Sequence, residues 1–210
     1  MKVAIVGAGI VGAACAHALL YDGHEVLILD RHGPAHGPSR GNAGWMAHTD
    51  ILPIASPKNL RQVPKFLLDP LGPLSIRPAY LPKLLPWLVR FLLAARPEAY
   101  ERSIRGLAAL QQRALPAWLA RAELSGLNAH IHRKGGLYVF TDNAAFEEAG
   151  KIARRQAEFG IRVEMVGPDE LRQFEPSLKS AFVGAAFHPD TAHISDPLQL
   201  TLSLFETALA

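Results

Sequence analysis

The stretch MKVAIVGAGIVGAACAHALLYDGHEVLILD, residues 1–30, decides the fold. Lys2 to Val6 reads as a short buried strand, Gly7 to Gly12 as a tight turn, Ile10 to Tyr21 as an alanine-rich helix and Glu25 to Leu29 as a second strand. Gly7, Gly9, Gly12, Ala16, Leu19, Gly23, Val26 and Asp30 fall on the full spacing G-x-G-x-x-G-x-x-x-A-x-x-L-x-x-x-G-x-x-V-x-x-x-[DE] of a dinucleotide-binding βαβ unit. Gly7 permits the sharp turn out of the strand, Gly9 lets backbone approach a pyrophosphate, and Gly12 lets helix and strand pack closely. The amides of Ala8, Ile10 and Val11 lie at the helix start, where unpaired N–H groups and the helix dipole favour an anion. Asp30, closing the second strand, is placed to accept from a ribose hydroxyl pair, and its charge disfavours a 2′-phosphate. Glycines that serve packing alone are the competing reading.

The same glycines argue against a secretory signal, which needs an uninterrupted apolar helix. The single Cys15 excludes an intramolecular disulfide and a multi-cysteine metal site. A reducing, cytoplasmic compartment is therefore expected. Beside Ala14 and Ala16, Cys15 reads as a small buried hydrophobe.

From Arg31 to Gly44 the composition turns to Gly, Pro, Ser, Asn and His, which is that of a loop. Pro53 to Pro82 contains Pro57, Pro64, Pro70, Pro73 and Pro78, so short, broken helices are expected there. A helical subdomain is expected from about Lys58 to Leu124, with Pro116 starting a new helix or kinking the old one. After Gly126 the period becomes two. His130–Lys134 and Leu137–Thr141 are predicted to pair across Gly135-Gly136 as a hairpin. A helix over Asn143–Phe159, a strand over Arg162–Val166, a short helix opened by Pro168, a strand over Phe182–Phe187 and a final helix over Pro197–Leu209 follow.

An NAD domain brings its third parallel strand soon after the second. Here Asp30 is followed by a polar loop, a helical block and an antiparallel region, which favours FAD over NAD. The chain resembles the FAD-dependent D-amino-acid oxidase superfamily, more closely its bacterial D-amino-acid dehydrogenase branch. The resemblance rests on the fingerprint, on Asp30-Arg31, Ser39-Arg40-Gly41-Asn42-Ala43-Gly44, His132 to Tyr138, Phe174-Glu175-Pro176, and His188-Pro189-Asp190 through Asp196-Pro197. It implies an α/β fold: an FAD-binding Rossmann-like βαβ unit of glutathione-reductase type with an inserted α+β substrate domain containing antiparallel strands. The segments expected are 1–57 for the FAD-binding part, 58–190 for the helical and antiparallel substrate domain, and 191–210 for the start of a return, leaving the sheet incomplete.

The resemblance also implies a cofactor site built from Gly7, Ala8, Gly9, Ile10, Val11, Gly12, Asp30, Arg31, Ser39, Asn42, Ala43 and Gly44, the last four running beneath the flavin. Arg40 is bulkier than the family pattern suggests. The implied reaction moves a hydride from the Cα of a D-amino acid, or of a D-hydroxyproline-like imino acid, to flavin N5, and water hydrolyses the imine. The catalytic residues stay unassigned, because the arginine that grips the substrate carboxylate is expected beyond Ala210. A glycine or sarcosine oxidase shares every residue named, and a catalytically incomplete FAD-binding fragment or subunit is the non-enzymatic alternative. The expected partners are an amino-acid substrate, a quinone or other electron acceptor, and a second polypeptide supplying the remaining half.

Nine histidines do not make a metal site expected, although His130 and His132 are predicted to share a strand face. Between Lys58 and Arg113 ten basic residues face three acids. They alternate with Leu, Trp and Phe around Tyr80–Ala95, which suits peripheral contact with the cytoplasmic face of a membrane better than nucleic acid.

Overall fold

The computed structural model describes residues 1–68, 76–178 and 181–209. The chain divides into two compact units, one of residues 1–49 with 114–210 and one of residues 50–113.

In the larger unit β1 (Lys2–Val6) leads into α1 (Ile10–Tyr21), which returns the chain to β2 (Glu25–Leu29). The two strands pair in parallel from Lys2 opposite Glu25 to Val6 opposite Leu29. Helix α1 ends at Asp22 and Gly23, whose φ of +79° reverses the chain without a Cβ penalty. This is the βαβ opening that the fingerprint predicts. The last helix, α7 (Pro197–Leu209), packs beside α1, so that Leu200, Leu204 and Phe205 join Ala8, Ala13, Ala122 and Leu127 in one core.

No third parallel strand follows Asp30 directly. Instead β3 (Trp45–Met46) pairs antiparallel with β8 (Ala192–Ile194), which also takes β4 (Ile131–His132) on its other side. A second antiparallel sheet places β7 (Gly184–His188) between β5 (Gly136–Phe140) and β6 (Glu164–Val166). Helix α5 (Asn143–Ala157) is capped by Asp142, whose Oδ1 accepts from the Ala145 amide at 2.8 Å. It buries Ala149, Gly150 and Ala153, and α6 (Pro168–Phe174) adds Leu171 to a core with Val166 and Ala185.

The smaller unit holds α2 (Pro57–Leu68), α3 (Leu81–Ala94) and the first part of α4 (Pro97–Leu124), whose remainder belongs to the larger unit.

Four local expectations are corrected. The predicted hairpin across Gly135-Gly136 does not form, because β4 pairs with β8 while β5 pairs with β7. Those glycines serve close packing: a Cβ on Gly136 would lie 1.9 Å from the Trp45 ring, and one on Gly135 would lie 2.5 Å from Phe187. Pro116 does not start a new helix, the first of its two expected effects. It sits inside α4, where Leu115, Trp118 and Leu119 pack against Met46 and Ala192 and outweigh one lost backbone hydrogen bond. Pro64 likewise lies within α2, whereas Pro70 and Pro73 fall outside the described residues. Cys15 is exposed, being two positions past buried Ala13 and hence on the far side of α1. His130 and His132 do not share a strand face, since His130 belongs to a helical turn while His132 stands opposite His193 with ring centroids 5.1 Å apart.

Candidate functional site

The site begins where β1 ends. Gly7 has φ +109° and donates its amide to the Leu29 carbonyl at 2.8 Å, which ties the turn to the end of β2. A Cβ at Gly7 would meet nothing within 4 Å, so the requirement there is conformational. At Gly12 the requirement is space, since a Cβ would stand 2.0 Å from the Gly7 carbonyl oxygen. Helix α1 starts with the Ala13 amide donating to the Gly9 carbonyl at 2.9 Å. Val11 and Gly12, in the first turn, have no helical acceptor four residues back.

Asp30 reaches across to this turn. Its Oδ2 accepts from the Ala8 amide at 2.9 Å and its Oδ1 from the His32 amide at 2.8 Å. These two amides, Ala8 foremost, hold the carboxyl below its ordinary range. Each oxygen keeps a second lone pair, so a ribose hydroxyl can still be accepted. The Ala8 carbonyl in turn accepts from the Ala35 amide at 2.8 Å, and Ala35 is a buried non-glycine residue with φ +59°. Strained backbone of this kind persists where surrounding contacts enforce it, often at binding sites.

Ser39 is buried, and its Oγ accepts from the Ile10 amide at 2.9 Å. Its hydroxyl hydrogen is left as a donor at the helix start. Asn42 closes the loop by accepting from the Gly44 amide at 2.8 Å through Oδ1 and donating to the Pro38 carbonyl at 3.2 Å through Nδ2. Gly44, with φ +67°, accepts from the Ile194 amide at 2.7 Å, and a Cβ on it would lie 2.3 Å from the Ile194 carbonyl oxygen.

Gly7 to Gly12, Asp30 and Ser39 are thus one hydrogen-bonded cluster, and Asn42 to Gly44 join it to β8. Arg31 and Ala43 are exposed beside it and carry none of these contacts. Sequence reasoning passed over Ala35 and Trp45. A Trp directly after a glycine-rich loop was the available signal for the second, and the positive φ of Ala35 left no signal in its residue type.

The arrangement fits a dinucleotide. It offers first-turn amides and a hydroxyl donor to a pyrophosphate, a glycine cradle for close approach, and a carboxylate for a ribose. A family model described as FAD dependent oxidoreductase matches residues 2–210. The chain belongs to this family. Its cofactor is accordingly FAD. The chain is 37% identical to a D-amino acid dehydrogenase 2 of Ralstonia nicotianae, with all of this chain and 50% of the relative covered. It is 35% identical to a D-amino-acid oxidase of Bradyrhizobium diazoefficiens, over 99% of this chain and 50% of that protein. The chain therefore spans about half the length of the curated relatives it matches. Among solved structures, a glycine oxidase from Geobacillus kaustophilus superposes with TM-score 0.60 at 20% identity, covering 98% of this chain and 43% of that one. That likeness establishes the fold alone.

Proposed function

We propose that the chain is the flavin-holding part of an enzyme that oxidises the CH–NH bond of D-amino acids, with Gly7, Ala8, Gly9, Ile10, Val11, Gly12, Asp30, Arg31, Ser39, Asn42, Ala43 and Gly44 as its cofactor residues. The observation that carries this reading is the cluster in which Asp30 and Ser39 both bond to the turn that begins α1. When bound, FAD supplies the acceptor for the two electrons of the α C–H bond. The work of this chain is to hold the pyrophosphate against the first-turn amides, to orient the ribose through Asp30, and to anchor the Ser39–Gly44 loop to β8.

The relatives' names favour D-amino acids over glycine or sarcosine. The substrate domain is taken as residues 58–190, between the FAD-binding segments 1–57 and 191–210. The outer face of β1 and β2 carries Val6, 87% exposed, with exposed Leu27 and Leu29. That apolar face calls for further polypeptide, from the same chain or a second one, to complete the sheet.

Helix α3 supports peripheral membrane contact and delivery of electrons to a quinone there. Leu81, Leu85, Val89, Leu92 and Leu93 are exposed on it, Trp87 stacks on Phe91 at 5.0 Å, and Lys83 and Arg90 occupy the other side. Among the described residues no helix is long and apolar enough to cross a membrane.

The test is spectroscopic. The purified protein is expected to carry a flavin absorbance that D-alanine bleaches without oxygen and L-alanine does not. Bleaching by glycine or sarcosine alone would move the assignment to the amine oxidases. Bound flavin that no amine reduces would make the chain a cofactor-holding subunit.

A further inference from the structure

The loop that ends at Gly44 hands the chain directly to Trp45, and three contacts fix where that indole goes. Gly44 cannot shift, because its carbonyl accepts from Ile194 and its α-carbon faces the Ile194 backbone with no room for a Cβ. Trp45 then stands opposite His193 in the β3–β8 pairing. Its ring lies on β5, over Gly136, where a Cβ would come within 1.9 Å of it, and the Tyr138 ring meets it edge-on at 5.8 Å. Tyr138 in turn meets the His188 ring at 5.2 Å.

In this packing the Trp45 Nε1–H is inaccessible to solvent and has no acceptor among the described residues. Indole is a donor only, and a buried N–H with no acceptor is costly, so native proteins rarely keep one without a reason. A surface or core tryptophan would turn its N–H to water or to a carbonyl. Here Gly136 and Gly44, which admit no side chain, hold the ring in place although its donor is unmatched. The position follows the loop assigned to the flavin, and bound ligand can bring the missing acceptor.

We propose that Trp45 is a ligand-contacting donor, its indole N–H serving an oxygen acceptor on the bound ligand, either a carbonyl of the flavin ring or the carboxylate of the amino-acid substrate. This rests on the flavin reading above. The two sources share one chemistry, an oxygen lone pair presented at the Gly44 end of the loop. Gly136 is then needed for the six-membered edge of the indole to reach β5, and Tyr138 packs edge-on beside it.

The test uses the flavin-loaded protein and the Trp45→Phe variant, which keeps an aromatic ring and removes the donor. With a flavin acceptor, the dissociation constant of FAD rises about tenfold while KM for D-alanine stays within twofold at saturating FAD. With a substrate carboxylate, FAD affinity is unchanged and KM, together with the inhibition constant of a simple carboxylate such as acetate, rises by about tenfold or more. A second readout needs no variant to fold well. In 15N-labelled wild-type protein, the indole N–H signal of Trp45 moves downfield and gains protection from hydrogen exchange on addition of FAD in the first case, and of the carboxylate in the second. If the wild type takes up FAD yet neither constant changes in Trp45→Phe and that signal is indifferent to both ligands, the indole N–H serves neither ligand and the assignment is overturned, with the flavin reading intact. If the wild type takes up no FAD, both fall together.

Discussion

Ser39 Oγ accepts the Ile10 amide at 2.9 Å across 29 residues of sequence, so the start of α1 and the loop that follows β2 form one piece of structure. A Cβ on Gly9 would stand 3.1 Å from that same Oγ, which makes the glycine and the serine mutually dependent. Ser39→Ala removes the acceptor of Ile10 and the hydroxyl donor together. FAD affinity is expected to fall about tenfold, since a lost hydrogen bond costs about 1 kcal/mol and an unpaired buried group more. Titration by flavin fluorescence measures it, and an unchanged constant would remove Ser39 from the site.

Asp30→Ala should weaken FAD binding by about ten- to a hundredfold, because it deletes a charged acceptor and frees the Ala8 amide. The pH dependence has a definite sign. The Ala8 and His32 amides hold the Asp30 carboxyl below its ordinary value of 3.8, so its contribution is complete above that value and is lost as pH falls through the lowered one. FAD affinity followed downward from pH 5 should drop in the wild type and stay flat in Asp30→Asn.

Two glycines should respond to alanine in different degrees. At Gly44 a Cβ combines φ +67° with a 2.3 Å approach to the Ile194 oxygen, and the cost is about 2 to 4 kcal/mol of stability. At Gly7 the backbone penalty acts alone, about 1 to 2 kcal/mol, because the space is open. Chemical denaturation of both variants tests the order, and a Gly7 cost as large as the Gly44 cost would contradict the packing account.

His17 is 7% exposed and links α1 to the end of α4, its Nδ1 2.9 Å from Arg121 Nη1 and its Nε2 2.8 Å from Ser125 Oγ. A guanidinium only donates, so Nδ1 must be the acceptor and the ring neutral. Burial first, then the Arg121 charge, lowers its pKa from 6.5. The folded state binds fewer protons at this site than the unfolded chain, so stability is complete above 6.5 and declines as pH falls from there toward the lowered pKa. Unfolding free energies between pH 8 and 5 should show this decline, and His17→Gln should remove that part of it.

Anionic vesicles should sediment the protein at low salt and release it at high salt, with Lys83→Glu/Arg90→Glu abolishing the effect. Each basic residue near such a surface contributes about 1 kcal/mol and is screened by salt. Trp87 is 55% exposed and so free to take part. A protein that stays in the supernatant at low salt makes α3 a face for other polypeptide.

What the amino-acid sequence determined by itself is concentrated in residues 1–30, where strand, turn, helix and strand constrain one another within a few residues. Gly7, Gly12 and Gly23 each answer a local demand, a torsion angle or a neighbouring carbonyl, and such demands repeat at fixed spacing. Ser39, Asn42 and Gly44 were legible through family resemblance, and the alternation that places β5 was visible too. The partners of β3, β4 and β5 were not. Strands of two residues such as Trp45–Met46 carry no period, and the pairing of Trp45 with His193 in β8 joins distant segments of the chain. Tertiary structure alone decided that Gly135-Gly136 packs against rings, that Cys15 faces outward, that His17 is sealed against Arg121 and that the Trp45 donor meets no acceptor among the described residues. Each depends on atoms from distant segments meeting in space, and residue type at a single position does not encode which segment arrives there.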